Sequence, residues 1–178
     1  MADNLTKRSR ITRVQTDLEV WTIYLDTCCL SRPFDTQTQP RIIRETRAIM
    51  QILDCFREGY WHWLSSEVLV AEVNRASNLE QRVQIERWLS RAHQTVSIGK
   101  TEISRANQLE ALGFKELDAL HLACAESSNA DIFLTTDDPL LRRAKRNSSR
   151  VHLTVENPHV WLSSVQGVTQ NEYTGDDG

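Results

Sequence analysis

The stretch "DIFLTTDDPLLRRAKR", residues 131–146, decides the class of fold. It begins as a short apolar strand, Ile132 to Leu134, and continues as a helix rich in basic residues. Asp137 and Asp138 stand between the two, although a strand that enters a hydrophobic core has no structural need for carboxylates at its end. A strand followed directly by a helix is typical of α/β proteins, and the two acids need a separate explanation.

The same alternation of strand and helix continues along the chain. Four more strands are predicted, at "VWTIYLDTCCL", "YWHWLSS", "TVSIG" and "VHLTVEN". Apolar residues at helical spacing fill the segments between them, for example from Pro40 to the stop at Gly59 and from Lys115 to Ser128. We therefore expect an α/β fold with a mainly parallel sheet, to which the chain contributes five predicted strands.

Length and composition limit the possible classes of protein. The chain has 178 residues, 40% hydrophobic and 25% charged, which suits one soluble domain. Its net charge of −3 gives no overall basic bias, so any affinity for nucleic acid must come from local patches. No uncharged apolar run is long enough to span a membrane, and the N-terminal segment does not look like a secretory signal. The four cysteines lack metal-site spacing, so we expect a reduced, cytoplasmic protein.

Three segments differ in composition. Residues 1–19 carry four basic residues without periodicity and are predicted to form a flexible basic arm. Residues 20–165 hold all the predicted strands and helices and form one domain. Residues 166–178 contain Glu172, Asp176 and Asp177 with three glycines, which indicates a disordered acidic tail.

Four acids occupy positions where a parallel sheet binds ligands. Asp26 and Asp137 follow the first and fourth strands, and the carboxyl ends of parallel strands share one edge. Glu72 borders the apolar face of a helix, and Asp118 opens another helix. Clustered carboxylates resist ionisation unless a cation joins them, and oxygen-only sites suit Mg²⁺ or Mn²⁺. Such ions can activate a water and stabilise the leaving oxygen in phosphodiester cleavage.

Structural explanations for these acids remain open. Asp118 can equally cap its helix. Asp138 precedes Pro139, a pattern typical of a helix N-cap, so we assign Asp138 to capping and Asp137 to chemistry. Asp26 has the weakest structural explanation, because a carboxylate within so apolar a strand is costly to bury without a partner. Glu67 lies on the same predicted helix as Glu72. It falls in the first turn, where negative charge is favourable anyway, which makes it a weaker candidate than Glu72.

Four motifs follow one another along the chain: "YLDTCCLSRPFD", "SSEVLVAEV", "LDALHLACA" and "FLTTDDPLL". Together they resemble the motifs of PIN-domain ribonucleases, most closely the VapC-type toxins of toxin–antitoxin modules, and the likeness runs from about Trp21 to Ser163. The resemblance implies a three-layer α/β/α fold with a five-stranded parallel sheet, as a PIN-like nuclease domain over 20–165, and metal-dependent cleavage of RNA with Mg²⁺ or Mn²⁺. It also implies a small antitoxin partner and a homodimer.

The resemblance assigns the family's acids to Asp26, Glu72, Asp118 and Asp137, with Thr135 in a supporting role. Cys28 departs from the family's pattern, which usually has Asn or Ser there. Because a thiol is a poor ligand for hard cations, Cys28 predicts weaker metal binding, a preference for Mn²⁺, or loss of activity.

Basic residues near these motifs are candidates for binding RNA. Arg142, Arg143, Lys145 and Arg146 lie on the helix after Asp137, where they can contact phosphates or simply complement a helix C-terminus. Arg32, with Arg41 and Arg44, forms a second candidate set. We select Arg32, Arg142, Arg143 and Arg146 as RNA-binding residues.

Two other features favour packing over chemistry. His121 lies one turn beyond Asp118, and a place at the edge of the apolar face is favoured over a role as proton carrier. Trp61 and Trp63 are expected in the core rather than stacked on bases.

Other functions stay open at this point. The main alternative is a catalytically weak or inactive module on the same scaffold that binds RNA or a protein, and a structure-specific DNA nuclease is a third possibility. A phosphate-accepting receiver domain does not fit, because its acidic pair would lie near the first strand. For a dimer or antitoxin surface, the helices at about 42–57 and 79–93 are the candidates.

Overall fold

A five-stranded sheet forms the centre of the protein, which we describe from a computed structural model covering residues 20–171. The strands are β1 (Thr22–Leu25), β2 (His62–Ser66), β3 (Gln94–Val96), β4 (Ile132–Leu134) and β5 (Thr154–Glu156). Their order is β3-β2-β1-β4-β5 and every neighbouring pair is parallel. The predicted parallel sheet is therefore confirmed.

Helices connect the strands. They are α1 (Thr27–Ser31), α2 (Pro40–Arg57), α3 (Glu67–Arg75), α4 (Leu79–Leu89), α5 (Lys100–Ala111), α6 (Glu116–Ser127), α7 (Asp138–Arg146) and α8 (Pro158–Asn171), with a 3₁₀ turn at Arg32–Phe34. Local sequence explains where several begin. Ser66 accepts a hydrogen bond from the Leu69 amide and caps α3, and Asn78 caps α4 in the same way through the Gln81 amide.

The central strands are covered on both faces. Ile23, Tyr24 and Leu25 are consecutive residues of β1 and all are fully buried, although neighbours in a strand point to opposite sides of the sheet. Trp63 in β2 is also buried, as predicted, and stacks on Phe56 of α2. Burial on both faces requires helices on both faces, as in a three-layer α/β/α architecture.

The sheet has a topological switch point between β1 and β4. From β1 the chain proceeds to β2 and β3 on one side, and it returns to place β4 and β5 on the other. In open parallel sheets, ligands bind in the crevice beyond the carboxyl ends of the strands at such a point. Asp26 follows β1 and Asp137 follows β4 by three residues, so both predicted strand-end acids lie at this crevice.

Two elements differ from the sequence prediction. The segment "TCCL" after Asp26 is the helix α1 and does not continue the strand, because β1 ends where the chain leaves the sheet. Helix α8 was not predicted, and it extends to Asn171, beyond the expected end of the domain at residue 165. Burial of Trp161 and Leu162 holds its first turns against the domain. The predicted basic arm at 1–19, and residues 172–178 of the predicted tail, lie outside the described residues.

Across residues 20–171, no helix is both long and apolar enough to cross a lipid bilayer.

Candidate active site

Asp26 is held at the carboxyl end of β1 by residues that follow both β1 and β4. Its carboxylate is almost completely buried, and Oδ2 accepts a hydrogen bond from the Thr135 hydroxyl at 2.7 Å. The Cys28 thiol lies 3.1 Å from the same oxygen. Asp26 occupies the N-cap position of α1, but its side chain makes no capping bond. The carboxylate therefore bonds to the Thr135 and Cys28 side chains and does not cap α1.

Thr135 connects the acids of the two strands. Besides donating to Asp26, its fully buried hydroxyl accepts a hydrogen bond from the Asp137 amide at 3.0 Å. The strand ladder itself continues here, since the Asp26 amide donates to the Leu134 carbonyl at 3.0 Å. These contacts fix the backbone at Asp26 and Asp137 relative to each other.

The roles of the two adjacent acids differ from the sequence prediction. Asp137 is the N-cap of α7, where its Oδ1 accepts from the Leu140 amide at 2.9 Å. Asp138 is the first helical residue, and its two oxygens pair with the Arg41 guanidinium at 2.6 and 2.7 Å. The assignment of the cap to Asp138 was wrong, because α7 begins one residue earlier than Pro139 suggested. Asp137 keeps its second oxygen, Oδ2, for another partner.

Asp118 lies half-buried in the first turn of α6. Burial raises the pKa of its carboxyl group, and the negative charges of Asp26 and Asp137 raise it further. No side-chain cap was found at the start of α6, so the structural alternative of helix capping does not explain Asp118. Asp118 is therefore near enough to Asp26 and Asp137 for their charges to act on it.

Glu72 reaches the crevice from α3 through different partners. Its Oε2 accepts from the Thr27 hydroxyl at 2.6 Å, and Thr27 directly follows Asp26. The same oxygen lies 2.6 Å from Nε2 of His121. The pKa of Glu72 is lowered, chiefly by the His121 hydrogen bond, while partial burial acts against this. Glu67, the weaker candidate, instead accepts from the Ile98 amide at 2.9 Å and ties α3 to the loop after β3.

The arrangement of donor atoms fits some metals better than others. In the described part of the chain, no group of three or more His, Cys, Asp or Glu side chains is arranged to hold a metal ion. A structural zinc site needs a closed set of four such ligands. Mg²⁺ keeps several waters and takes one or two carboxylates directly, and Asp26, Asp118 and Asp137 offer carboxylates of that kind. Their mutual repulsion, expressed in the raised pKa of Asp118, is what a bound cation would relieve.

Cys28 lies beside Asp26 and Thr135, in the motif where the sequence departs from the family's pattern. Its sulfur is 3.2 Å from the Thr135 hydroxyl and accepts from the Thr136 amide at 3.2 Å. The thiol therefore fills a position beside Asp26 where an amide or hydroxyl would supply an oxygen.

The predicted RNA-binding arginines differ in their surroundings. Arg142 and Arg146 are exposed on α7, and no ion pair or hydrogen bond to either was found among residues 20–171. Arg143 donates to the Gly113 carbonyl. Arg32 is mostly buried and pairs with Asp35 at 2.7 Å and Glu45 at 2.9 Å. Of the four, Arg142 and Arg146 have the greater freedom to meet a ligand.

Sequence reasoning missed most of the residues around Glu72. Tyr24, Thr27 and Ser66 were not identified, and His121 was expected to pack rather than to bond. The adjacency of Thr27 to Asp26 is a local signal that could have been used. The others come together through contacts between β1, β2 and α6, which no local pattern reports.

The fold and the site together define a class: a doubly wound α/β protein with an acidic crevice at its switch point. A protein-family model for the PIN domain matches residues 23–146, most of the chain, and the protein therefore belongs to the PIN domain family. Members of this family are generally nucleases. The resemblance seen in the sequence is confirmed.

One solved structure supports the fold, and a second shows a weaker likeness. VapBC2 from Rickettsia felis, bound to a DNA fragment from its promoter, matches with a TM-score of 0.51 at 19% identity. The match covers 76% of this chain and 98% of that chain. VapBC-1 from nontypeable Haemophilus influenzae matches with a TM-score of 0.49 at 19% identity, covering 77% and 98%. No curated protein matches the sequence.

Proposed function

We propose that the protein is a divalent-metal-dependent endoribonuclease that hydrolyses RNA phosphodiester bonds, and that it is the toxin of a toxin–antitoxin pair. The observation that carries the proposal is the connection of Asp26 to Asp137 through the Thr135 hydroxyl, which donates to Asp26 Oδ2 at 2.7 Å and accepts from the Asp137 amide at 3.0 Å. Both acids lie at the switch point, where a parallel sheet binds its ligands, and their charges raise the pKa of Asp118. Membership of a family of nucleases supports the same reading.

The four acids would have different roles in binding the metal. Asp26 and Asp137 would hold the principal Mg²⁺ or Mn²⁺, with Asp118 and Glu72 completing the site or orienting its waters. When bound, such an ion supplies an activated water and neutralises charge on the leaving oxygen. Thr135 holds Asp26 by one oxygen, which limits the directions the carboxylate can take. The cap bond of Asp137 limits that side chain in the same way.

Exposed arginines next to the acids would bind the RNA backbone. Arg142 and Arg146 lie on α7, which starts at the acid-bearing residue Asp137. Guanidinium groups contact phosphates in any sequence, so these residues would position the strand without choosing bases. The proposed role of Arg143 is weaker, because its guanidinium already donates to Gly113, and Arg32 would have to leave two carboxylates.

The proposed partners are a small antitoxin and a second copy of the chain. An open groove of about 600 Å³ lies between Phe34 and α4 and contains none of the four acids. Phe34, Leu79 and Val83 expose apolar surface there. Helix α4 is one of the two helices that the sequence suggested for such contacts. Growth arrest on expression of the protein, relieved by a small neighbouring gene, would test the antitoxin.

The nuclease proposal is tested by incubating purified protein with total RNA in Mg²⁺, in Mn²⁺ and in chelator. We expect discrete fragments that need metal and that disappear in Asp26→Asn. Asp54→Asn is the matched control, because Asp54 is an exposed acid paired with Arg57 on the far end of α2. Cleavage by Asp26→Asn at the wild-type rate would contradict the assignment.

One observation favours a second candidate, a binding module without catalysis. The Cys28 sulfur lies beside the carboxylate of Asp26, in place of the oxygen ligand usual in the family. Calorimetric titration with Mg²⁺ separates the candidates, since a nuclease must bind the ion and a relic of one has no need to.

A further inference from the structure

A chain of hydrogen bonds runs through the core from β2 to Glu72. The Ser66 hydroxyl lies 2.5 Å from the Tyr24 hydroxyl, which lies 2.7 Å from Nδ1 of His121. Nε2 of His121 then meets Oε2 of Glu72 at 2.6 Å. Tyr24 and Ser66 are fully buried and His121 nearly so, whereas the Glu72 side chain is 24% exposed. The chain therefore starts in the core and ends at the crevice.

The donors and acceptors along the chain are consistent with one direction. Ser66 Oγ already accepts from the Leu69 amide, so its own proton is available for Tyr24. Tyr24 can then donate to Nδ1 of His121. A neutral imidazole that accepts at Nδ1 carries its proton on Nε2, and this proton points to Glu72. Every link has one donor and one acceptor.

Stability alone gives little reason for this arrangement. Three buried polar side chains must be desolvated, and their hydrogen bonds do little more than offset that cost. Apolar residues of similar size would fill the same space at no loss. Such a network can instead fix the orientation of the group at its end, which here is the Glu72 carboxylate. All the hydrogen bonds to this carboxylate found in the described residues fall on Oε2.

We propose that His121 and Tyr24 are positioning residues for the nuclease reaction, which hold the Glu72 carboxylate by one oxygen and turn the other toward the crevice. The inference rests on the proposed function, because Glu72 matters only if the crevice binds metal and RNA. Tyr24 sets the tautomer of His121, and His121 with Thr27 sets the orientation of Glu72. Residues that hydrogen-bond to a metal ligand usually contribute roughly 10–100-fold to metal affinity or activity.

Two substitutions at His121 separate positioning from packing. His121→Leu introduces an apolar side chain of similar bulk and removes both hydrogen bonds. His121→Gln retains a donor and an acceptor. With Mn²⁺ binding and RNA cleavage as readouts, we expect His121→Leu to lose roughly 10–100-fold and His121→Gln to recover part of the loss. Leu122→Val is the matched control, because Leu122 is a fully buried neighbour on α6 without a polar atom in its side chain. Circular dichroism and thermal melting confirm that each variant is folded.

A spectroscopic measurement tests the hydrogen-bond chain from Ser66 to Glu72 independently of activity. Nitrogen-15 NMR of the wild-type protein should show a proton on Nε2 of His121 and none on Nδ1. Tyr24→Phe removes one hydroxyl from the core, so the tautomer should no longer be fixed and both forms should appear.

The outcomes distinguish the inference from the proposed function. A wild-type protein that neither binds Mn²⁺ nor cleaves RNA contradicts the nuclease proposal, and the role inferred for His121 falls with it. An active wild type with an equally active, folded His121→Leu overturns the positioning role and leaves the nuclease intact. A proton found on Nδ1, or a tautomer unchanged in Tyr24→Phe, overturns the direction of the chain.

Discussion

At the residue scale, Cys28 is the side chain that we expect to limit metal binding at Asp26. Cys28 puts sulfur 3.1 Å from the Asp26 carboxylate, where the family usually supplies oxygen. Sequence reasoning selected Asp26 and Asp137 as candidates and noted the departure at Cys28, because each belongs to a motif. It assigned the helix cap to Asp138 instead of Asp137, since two adjacent acids before a proline give the same local signal for a cap.

Replacing the thiol should improve binding of hard cations. Cys28→Asn offers an amide oxygen beside Asp26, and we expect Mg²⁺ to bind roughly tenfold more tightly than in the wild type. Calorimetric titration measures this. Cys55→Ser is the control, because Cys55 lies on α2 as a half-buried thiol outside the crevice. Equal Mg²⁺ affinity in Cys28→Asn and wild type would show that the thiol does not limit the site.

At the scale of elements, two ionic contacts fasten α2 to its neighbours. Glu45 of α2 is buried, and it meets Arg32 at 2.9 Å, Arg41 at 2.8 Å and Asn157, before α8, at 2.7 Å. Arg41 then reaches Asp138 at the start of α7. The sequence predicted α2 from its apolar spacing, but it could not predict α8, whose place depends on contacts with distant elements.

The buried carboxylate should matter for stability. Glu45→Gln leaves Arg32 without its buried counter-charge, and we expect the free energy of unfolding to fall by about 2 kcal/mol, less than the usual ~3–5 for a buried pair, because the arginines reach solvent. Urea unfolding measures the change. Glu86→Gln is the control, since Glu86 is exposed and lies 3.7 Å from Arg82. Equal effects of the two substitutions would contradict the structural role of Glu45.

The contact between α2 and α7 should depend on pH. Arg41 lowers the pKa of Asp138, so this ion pair stabilises the folded protein above the ordinary aspartate pKa of about 3.9, and the gain is lost as the pH falls through the folded-state value. Asp138→Asn should therefore melt at a lower temperature than wild type at neutral pH, by an amount equivalent to at most about 1 kcal/mol. The two melting curves should converge in acid. A difference that persists unchanged at low pH would rule out the ion pair as its cause.

At the scale of the whole molecule, function depends on where β1 and β4 meet. The sequence predicted a parallel sheet with acids at strand ends, because apolar strands and the residues that follow them are local patterns. Local patterns do not contain the strand order β3-β2-β1-β4-β5, which makes β1 and β4 neighbours. That order brings Asp26 and Asp137 to the same edge of the sheet, where the Thr135 hydroxyl contacts both.

The central claim is that the acids in this crevice hold the metal that cleaves RNA. The most direct test compares cleavage in Mg²⁺ by wild type, Asp137→Asn and Asp138→Asn. Asparagine can still cap α7 at position 137, so the fold should persist while a metal ligand is weakened. We expect Asp137→Asn to lose more than the ~100-fold typical of residues that hydrogen-bond to a metal ligand, and Asp138→Asn to cleave like wild type. Equal rates for all three folded proteins, or a loss confined to Asp138→Asn, would contradict the account.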